Sequence, residues 1–571
     1  MKKILSTIFA LGYLSVLAQT FSLVKNVNLN PDNGYVSLNC SFKEVNGKLY
    51  YIFPDQASGK NALYVSDGTS AGTNMISPIN VNITSNLIAG GNKLYFYATD
   101  GTNGIEPWVS DGTTGGTFML KNINPSSNDN DFGTMSLSFL SADANKAFFK
   151  GNDGVTGEEL WVTDGTNAGT ILVSDIFMGT NGSQIYVTKT GHGSSMMGGK
   201  LYFFAVNGNG GPTTLNGEEP WVSDGTSAGT FMLKDIVPGY QGCQITSSVN
   251  KNFIEFTGKM YFVVTGLLNP TSQPAMYVTD GTTIGTTQVL TSPYKMINEM
   301  YVFNNKIYYT IATNNYSTLN ATDGNLAAEQ IIDTLLNANL NNPSSCQMTT
   351  ANNELYLRIN KSSAGNELYK LDASNNVVLV KEIWAGGSGG VHSNVYNDRK
   401  VFQVYNNKLW FLGSDGSSSG AQQMWSSDGT FAGTVAMSPL NNDGGWAGGY
   451  LSPYNVFATS FGMFMIYTNP TTGSELYIYN NLATTISDHN TNNNIFTVYP
   501  NPAKEMINIK LEMSYYEPIE IKITNLLGET VLSESLTSND CTFKTNNLKS
   551  GIYIVTVTNN GKQSTQKIII E

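Results

Sequence analysis

Acid–base chemistry in this chain would have to come from its carboxylates. Glu106, Glu158, Glu159, Glu218, Glu219, Glu367 and Glu475 each stand at the head of a short apolar, aromatic-bearing run. Two carboxyls about 5–10 Å apart across a glycosidic bond make a hydrolase, one serving as acid and the other as base or nucleophile. A catalytic pair is a singular feature, whereas these glutamates recur at one place in a repeated pattern. Recurrence assigns them to hydrogen bonding inside the repeat. Other reactive side chains are scarce. His192, His392 and His489 are the only histidines, none lies in a metal-ligand spacing such as HExxH, and no GxSxG elbow occurs. Cys40, Cys243, Cys346 and Cys541 form no CxxC pair and are too sparse for a disulfide framework. Buried free thiols are expected, with one disulfide as the alternative outside the cytosol. No catalytic, cofactor-binding or metal-ligating residue is assigned.

Calcium is the one cofactor alternative. Asp100-GTNGIE, Ser126-SNDND, Gly151-NDGVTGEE and Asn441-NDGG cluster side-chain oxygens. None follows the order of an EF-type loop, and Asp-Gly is first of all turn chemistry. Trp384, Trp446 and Tyr450 lie outside the repeat in the Gly-rich segments Trp384-AGGSGG and Asp443-GGWAGGY. Such rings stack on sugars, form protein hot spots or pack beneath their own loops. They are the candidate ligand contacts.

The elements that would position these groups are repeats. Leu63-YVSDGTSAGT, Pro107-WVSDGTTGGT, Leu160-WVTDGTNAGT, Pro220-WVSDGTSAGT, Met276-YVTDGTTIGT and Met424-WSSDGTFAGT share Asp67, Asp111, Asp164, Asp224, Asp280 and Asp428. Worn copies add Asp323, Asp372 and Ser474-ELYIYNN, about nine units in all. Each is preceded by an Asn/Gly pair and an aromatic strand, as in Asn92-KLYFYATDG, and followed by an apolar run, as in Phe118-MLKNI. Four short strands per unit, with an aromatic on the third and an Asp-Gly turn after it, predict an all-β fold. Its body is a β-propeller of four-stranded blades, about 8–9 sequence units. Asp-Gly and Asn-Gly are expected to form type I′ hairpin turns, with both central residues at positive φ. Phe21-SLVKNVNLN resembles the fourth-strand copies and is expected to complete the last blade, hiding both edges.

Composition narrows the partners. Among 571 residues, 31 Lys plus Arg face 43 Asp plus Glu, a net charge of −12. That balance excludes a nucleic-acid partner, which needs a basic face. Residues 1–18 carry Lys2 and Lys3, an apolar stretch and Val16-Leu17-Ala18, a secretory signal cut between Ala18 and Gln19. No later segment is long and apolar enough to span a bilayer, so no transmembrane segment is expected after signal removal. The predicted layout is 1–18 signal peptide, 19–485 propeller, 486–495 Asn-rich linker and 496–571 C-terminal module. That last module alternates apolar and polar positions over five runs, predicting a small Ig-like β-sandwich.

Two resemblances add an address. The repeats, best seen at Glu159-LWVTDGTNAGT, are similar to the ELWxxDGT repeat family of secreted bacterial proteins, over roughly residues 21–480. That likeness implies fold and extracytoplasmic placement only. The ordered motifs Tyr499-Pro500-Asn501-Pro502, Asn525-LLGETV with Gly528, Leu548-KSGIYIVTV with Gly551, and Gln566-KIIIE resemble the type A C-terminal sorting domain of the type IX secretion system of Bacteroidetes. This second likeness implies the type IX machinery as a partner and passage through the periplasm to a secreted or outer-membrane surface location. The resulting expectation is a non-catalytic binding or adhesion module for a glycan or protein. The alternative is a polysaccharide hydrolase or lyase built on a propeller.

Overall fold

The computed structural model describes residues 21–27, 41–125, 138–180, 182–185, 193–208, 216–239, 242–243, 253–264, 275–291, 297–312, 316–324, 330–336, 346–360, 365–384, 389–392, 401–416, 423–437, 456–469, 473–479, 496–511, 519–525, 529–536, 540–559 and 562–570. Ala18, Gln19, Cys40, His192, Trp446, Tyr450, His489 and Gly528 lie outside them. Among the described residues every regular element is a strand, and no helix is long and apolar enough to cross a membrane. The chain divides into two units, Met1–Asn480 and Asn481–Glu571.

Within the first unit the described strands form nine antiparallel sheets, eight of four strands and one of five. Sheet one is typical: Phe42–Val45, Lys48–Asp55, Lys60–Ser66 and Asn74–Met75 pair in chain order. Its first two strands meet through Asn46 and Gly47, both at positive φ (51° and 68°). Asn406–Asn407 of sheet eight repeats this type I′ geometry (51° and 55°), because Asn and Gly tolerate the left-handed region and match the strand twist. In the longer loops, φ turns positive at Gly68 and not at Asp67, so Asp-Gly there is not the expected I′ pair.

Adjacent sheets share their apolar faces. The third-strand ring of each sheet packs on the sheet before it, as with Trp108 against sheet one and Trp221 against sheet three. Tyr277, Tyr369, Trp425 and Tyr477 do the same further along the chain. Sheet six departs from this, carrying the buried Asn320 whose side chain bonds Thr318. The ninth sheet is built from both ends of the unit. Ser22–Lys25 pairs with Gly473–Tyr479, with Leu23 opposite Tyr477. Val24, Leu476 and Ile478 then share a core with Phe42, Tyr51 and Tyr64 of sheet one, so the run of inter-sheet cores returns to its start.

The second unit has two sheets around one core that includes Ile507, Ile521, Val555 and Ile568. Asn501 of the YPNP motif accepts from the Ile569 amide at 2.9 Å and donates to the Lys567 carbonyl at 2.9 Å. The motif thereby ties the Lys562–Ile570 strand into the unit. Gly551 opens the adjoining strand Gly551–Asn559.

Candidate functional site

The DGTxxGT signature is a closed hydrogen-bond circuit. In sheet one, Asp67 Oδ1 accepts from the Thr69 amide (2.9 Å) and hydroxyl (2.7 Å), and Thr69 Oγ1 accepts from the Gly72 amide (3.0 Å). Thr73 donates its hydroxyl to the Thr69 carbonyl at 2.7 Å. Asp111, Asp164, Asp224, Asp280 and Asp428 repeat the pattern. These bonds hold the Asp164, Asp224 and Asp428 carboxyls below the usual range. At the worn copy carrying Asp323, the Gly324 amide still donates to Thr322 Oγ1 at 3.1 Å. The loop's second glycine has no room for a side chain, since a Cβ on Gly72 would stand 2.0 Å from Asp67 Oδ1.

Each loop also touches the neighbouring sheet. A Cβ on Gly112 would lie 2.1 Å from Tyr50 Oη, and Gly112 has φ +92°. Gly112→Ala should therefore cost about 1–3 kcal/mol from backbone strain, with the collision added. Pairing it with Tyr50→Phe should recover part of the loss in urea denaturation. Equal loss in both variants would show that the loop does not bear on Tyr50.

Sequence reasoning missed a lysine set that joins the sheets. Lys25 and Lys381, closing their fourth strands, and Lys121 and Lys234, two residues beyond theirs, donate to the carbonyls of Thr73, Thr434, Thr170 and Thr286 in the next sheet, at 2.6, 2.7, 2.8 and 3.3 Å. Lys93, opening the strand Lys93–Thr99, and Lys146, just before Ala147–Asn152, donate to the Asp164 and Asp224 carbonyls. The signal was present in the sequence as a lysine at one place in LVKNV, MLKNI, MLKDI and VKEI.

The recurring glutamates are likewise occupied. Glu106 accepts from the Ile123 and Asn124 amides, and Glu159 from those of Ile176 and Phe177. Glu219 takes the Ile236 and Val237 amides, at 2.9 and 3.1 Å, plus the Cys243 thiol at 3.1 Å. Glu367 takes the Ile383, Trp384 and Gly390 amides, and Glu475 takes that of Val27. Each carboxylate thus clasps the segment leaving its own fourth strand. Burial pushes Glu106, Glu159 and Glu219 up to about 7, against the opposing pull of these amides. Glu158 instead forms a buried ion pair with Lys150 at 2.6 Å. Among the described residues Cys243, Cys346 and Cys541 form no disulfide, and burial raises the thiols of the first two.

Asp100 and Asp153, from two of the oxygen-rich segments, accept from amides of their own turns at 2.7–2.9 Å. Among the described residues no group of three or more His, Cys, Asp or Glu is placed to hold a metal ion. Trp384 is half-buried, and its indole lies against Gly416, where an added Cβ would come 2.5 Å from Nε1.

Among the described residues, one cavity open to a ligand measures about 610 Å³. It is walled by the first strands of sheets one, six, seven, eight and nine, and so lies where innermost strands converge. Phe42, Lys43, Tyr301, Thr349, Gln403 and Phe457 are in its wall. Glu44, also in the wall, accepts from the Ser460 amide at 2.8 Å and from the Ser460 hydroxyl. Lys43 makes no hydrogen bond or ion pair among the described residues.

Nine sheets whose inter-sheet cores return to their start define a body of propeller type. Residues 497–571 match the family of secretion system C-terminal sorting domains. The chain is therefore a type IX cargo, exported through the periplasm to the cell surface or beyond. No curated protein matches it. Among solved structures, a puromycin hydrolase is similar at 12% identity and a TM-score of 0.37, over 79% of this chain and 61% of that one. The chain thus spans less than two thirds of that enzyme's length. The β-propeller domain of the trilobed protease from Pyrococcus furiosus is similar at 11% identity and a TM-score of 0.31, covering 71% of this chain and 99% of its own. PorZ, a surface component of the type IX secretion system of Porphyromonas gingivalis, is similar at 11% identity and a TM-score of 0.16, over 97% and 100%.

Proposed function

We propose that the mature chain is a nine-bladed ring of ELWxxDGT-type repeats that binds a glycan or protein ligand without turning it over. The signal peptide, cut after Ala18, and the Ig-like sorting module deliver it to the surface. The observation that carries this reading is the fate of the recurring glutamates. Glu106, Glu159, Glu219, Glu367 and Glu475 each accept backbone amides of their own sheet, and four of the five take two or more. A carboxylate so engaged has neither the free oxygen nor the facing partner that glycoside cleavage requires. The ligand is taken at the first-strand cavity, and dense surface display multiplies weak single contacts. The test is the mature full chain on a glycan array, with a parallel assay for new reducing ends. Retention of a glycan with no product is expected. Release of reducing ends from a retained polysaccharide would establish the hydrolase or lyase instead.

A further inference from the structure

The first-strand cavity has an asymmetry of charge that names its ligand more closely. Its described wall holds two charged side chains, Lys43 and Glu44. They are neighbours on one strand and so face opposite ways. Glu44 lies on the side of Phe42, which stacks on Phe457 of sheet nine, and both its oxygens are taken by Ser460. Lys43 lies on the side of Val45, which packs with sheet two. On that side the wall also holds Ser41, whose hydroxyl accepts from the Leu87 amide, and Asn86, exposed, with a side chain that makes no hydrogen bond among the described residues. One ammonium and one amide therefore stand open on the same side of the cavity, while both oxygens of the local carboxylate are engaged by Ser460 on the other side.

Building on the binding reading above, we propose that this cavity takes an acidic oligosaccharide, with the carboxylate of one uronate ring on Lys43 and a ring hydroxyl on Asn86. At about 610 Å³ the space is of small-ligand size, within the 300–1,000 Å³ of ordinary binding clefts. Thr349, Thr350 and Tyr301 add hydroxyls across the void, and the ring of Phe457 and the side chain of Val404 add apolar wall. Hydroxyls and amides set among modest apolar patches suit sugar rings. A peptide carboxylate would ask for side-chain pockets that this wall does not supply. The net charge of −12 disfavours dense polyanions at long range, so the selected ligand carries isolated carboxylates rather than a continuous charged backbone.

The test is calorimetric titration of the mature full chain with trigalacturonate, and with its methyl ester as an uncharged counterpart. A charge-assisted hydrogen bond contributes roughly 1.5–3 kcal/mol, so Lys43→Gln should weaken the acid about 10–100-fold and leave the ester unchanged. Asn86→Ala should weaken both ligands. Lys43 is only half-buried and unpartnered, so Lys43→Gln should keep the wild-type thermal midpoint, which separates lost binding from lost fold. Equal affinity of wild type and Lys43→Gln for trigalacturonate would overturn the proposal. So would no binding of trigalacturonate by a chain that retains another glycan on the array, and the binding reading would then survive. A chain that retains nothing on the array would take both down.

Discussion

A mature chain lacking Phe21–Lys25 is expected to lose the closure of the first unit, and with it much of that unit's stability. The segment is five residues long, but its contacts join the two ends of a continuous run of sheets. Phe21 is buried against Trp410 and Tyr479, at ring-centroid distances of 6.5 and 5.5 Å. Val24 is buried in the core shared by sheets nine and one. Burial of two such side chains contributes about 3–6 kcal/mol, before the ladder to Gly473–Tyr479 and the Lys25 bond to Thr73 are counted. Deletion also bares the edge of Gly473–Tyr479, which invites pairing with another chain. The expected outcome is a lower thermal midpoint, dye binding to exposed apolar surface and concentration-dependent association on a sizing column. Phe21→Ala alone should cost about 3–5 kcal/mol while leaving the strand in place. A deletion variant that stays monomeric with an unchanged midpoint would show that closure does not depend on this strand.

The same strand shows how much of the fold is legible in the sequence. Phe21-SLVKNV was legible as a displaced fourth strand because the apolar order of Phe118-MLKNI and Phe231-MLKDI repeats in it. Third-strand rings were legible for the same reason, since Trp108, Trp161 and Trp221 return at a fixed distance ahead of the Asp-Gly. Turn type was legible only where two residues make the whole loop, as at Asn46-Gly47. In Asp67–Thr73 the loop is longer, and the Asp carboxylate organises it by accepting from Thr69 rather than by adopting positive φ. The cavity was not legible. Its wall is drawn from six sheets separated by up to some four hundred residues, and Lys43 sits on a first strand that carries no shared motif. Trp384, conspicuous in its Gly-rich setting, lies against Gly416, a contact that spacing along the chain does not reveal.

Glu219→Ala should be strongly destabilising. It strands the half-buried Ile236 and Val237 amides and the buried Cys243 thiol. A fully buried orphaned donor costs about 1–3 kcal/mol, so two half-buried amides, at the low end of that range, imply a loss of about 2 kcal/mol in urea denaturation. Glu219→Gln keeps one acceptor oxygen and should lose less. The two variants should also differ in their response to pH. The carboxyls of Glu106, Glu159 and Glu219 lie at about 7 in the folded chain, against an ordinary value of 4.5. The folded state therefore holds these protons more tightly than the unfolded state does. The resulting stabilisation is complete below 4.5 and is lost as pH rises through 7. Asp164, Asp224 and Asp428 act in the opposite sense, because their carboxyls are lowered. Their contribution is present above the ordinary value of 3.8 and is lost as pH falls beneath it. Stability should accordingly peak between about pH 4 and 5 and decline toward pH 8, with the thermal midpoint following. The triple variant E106Q/E159Q/E219Q should flatten the decline between pH 5 and 8 and leave the acid limb intact, since no proton remains to be held at those three positions. An alkaline decline that survives in the triple variant would place the titrating groups elsewhere and leave the clasps ionised throughout.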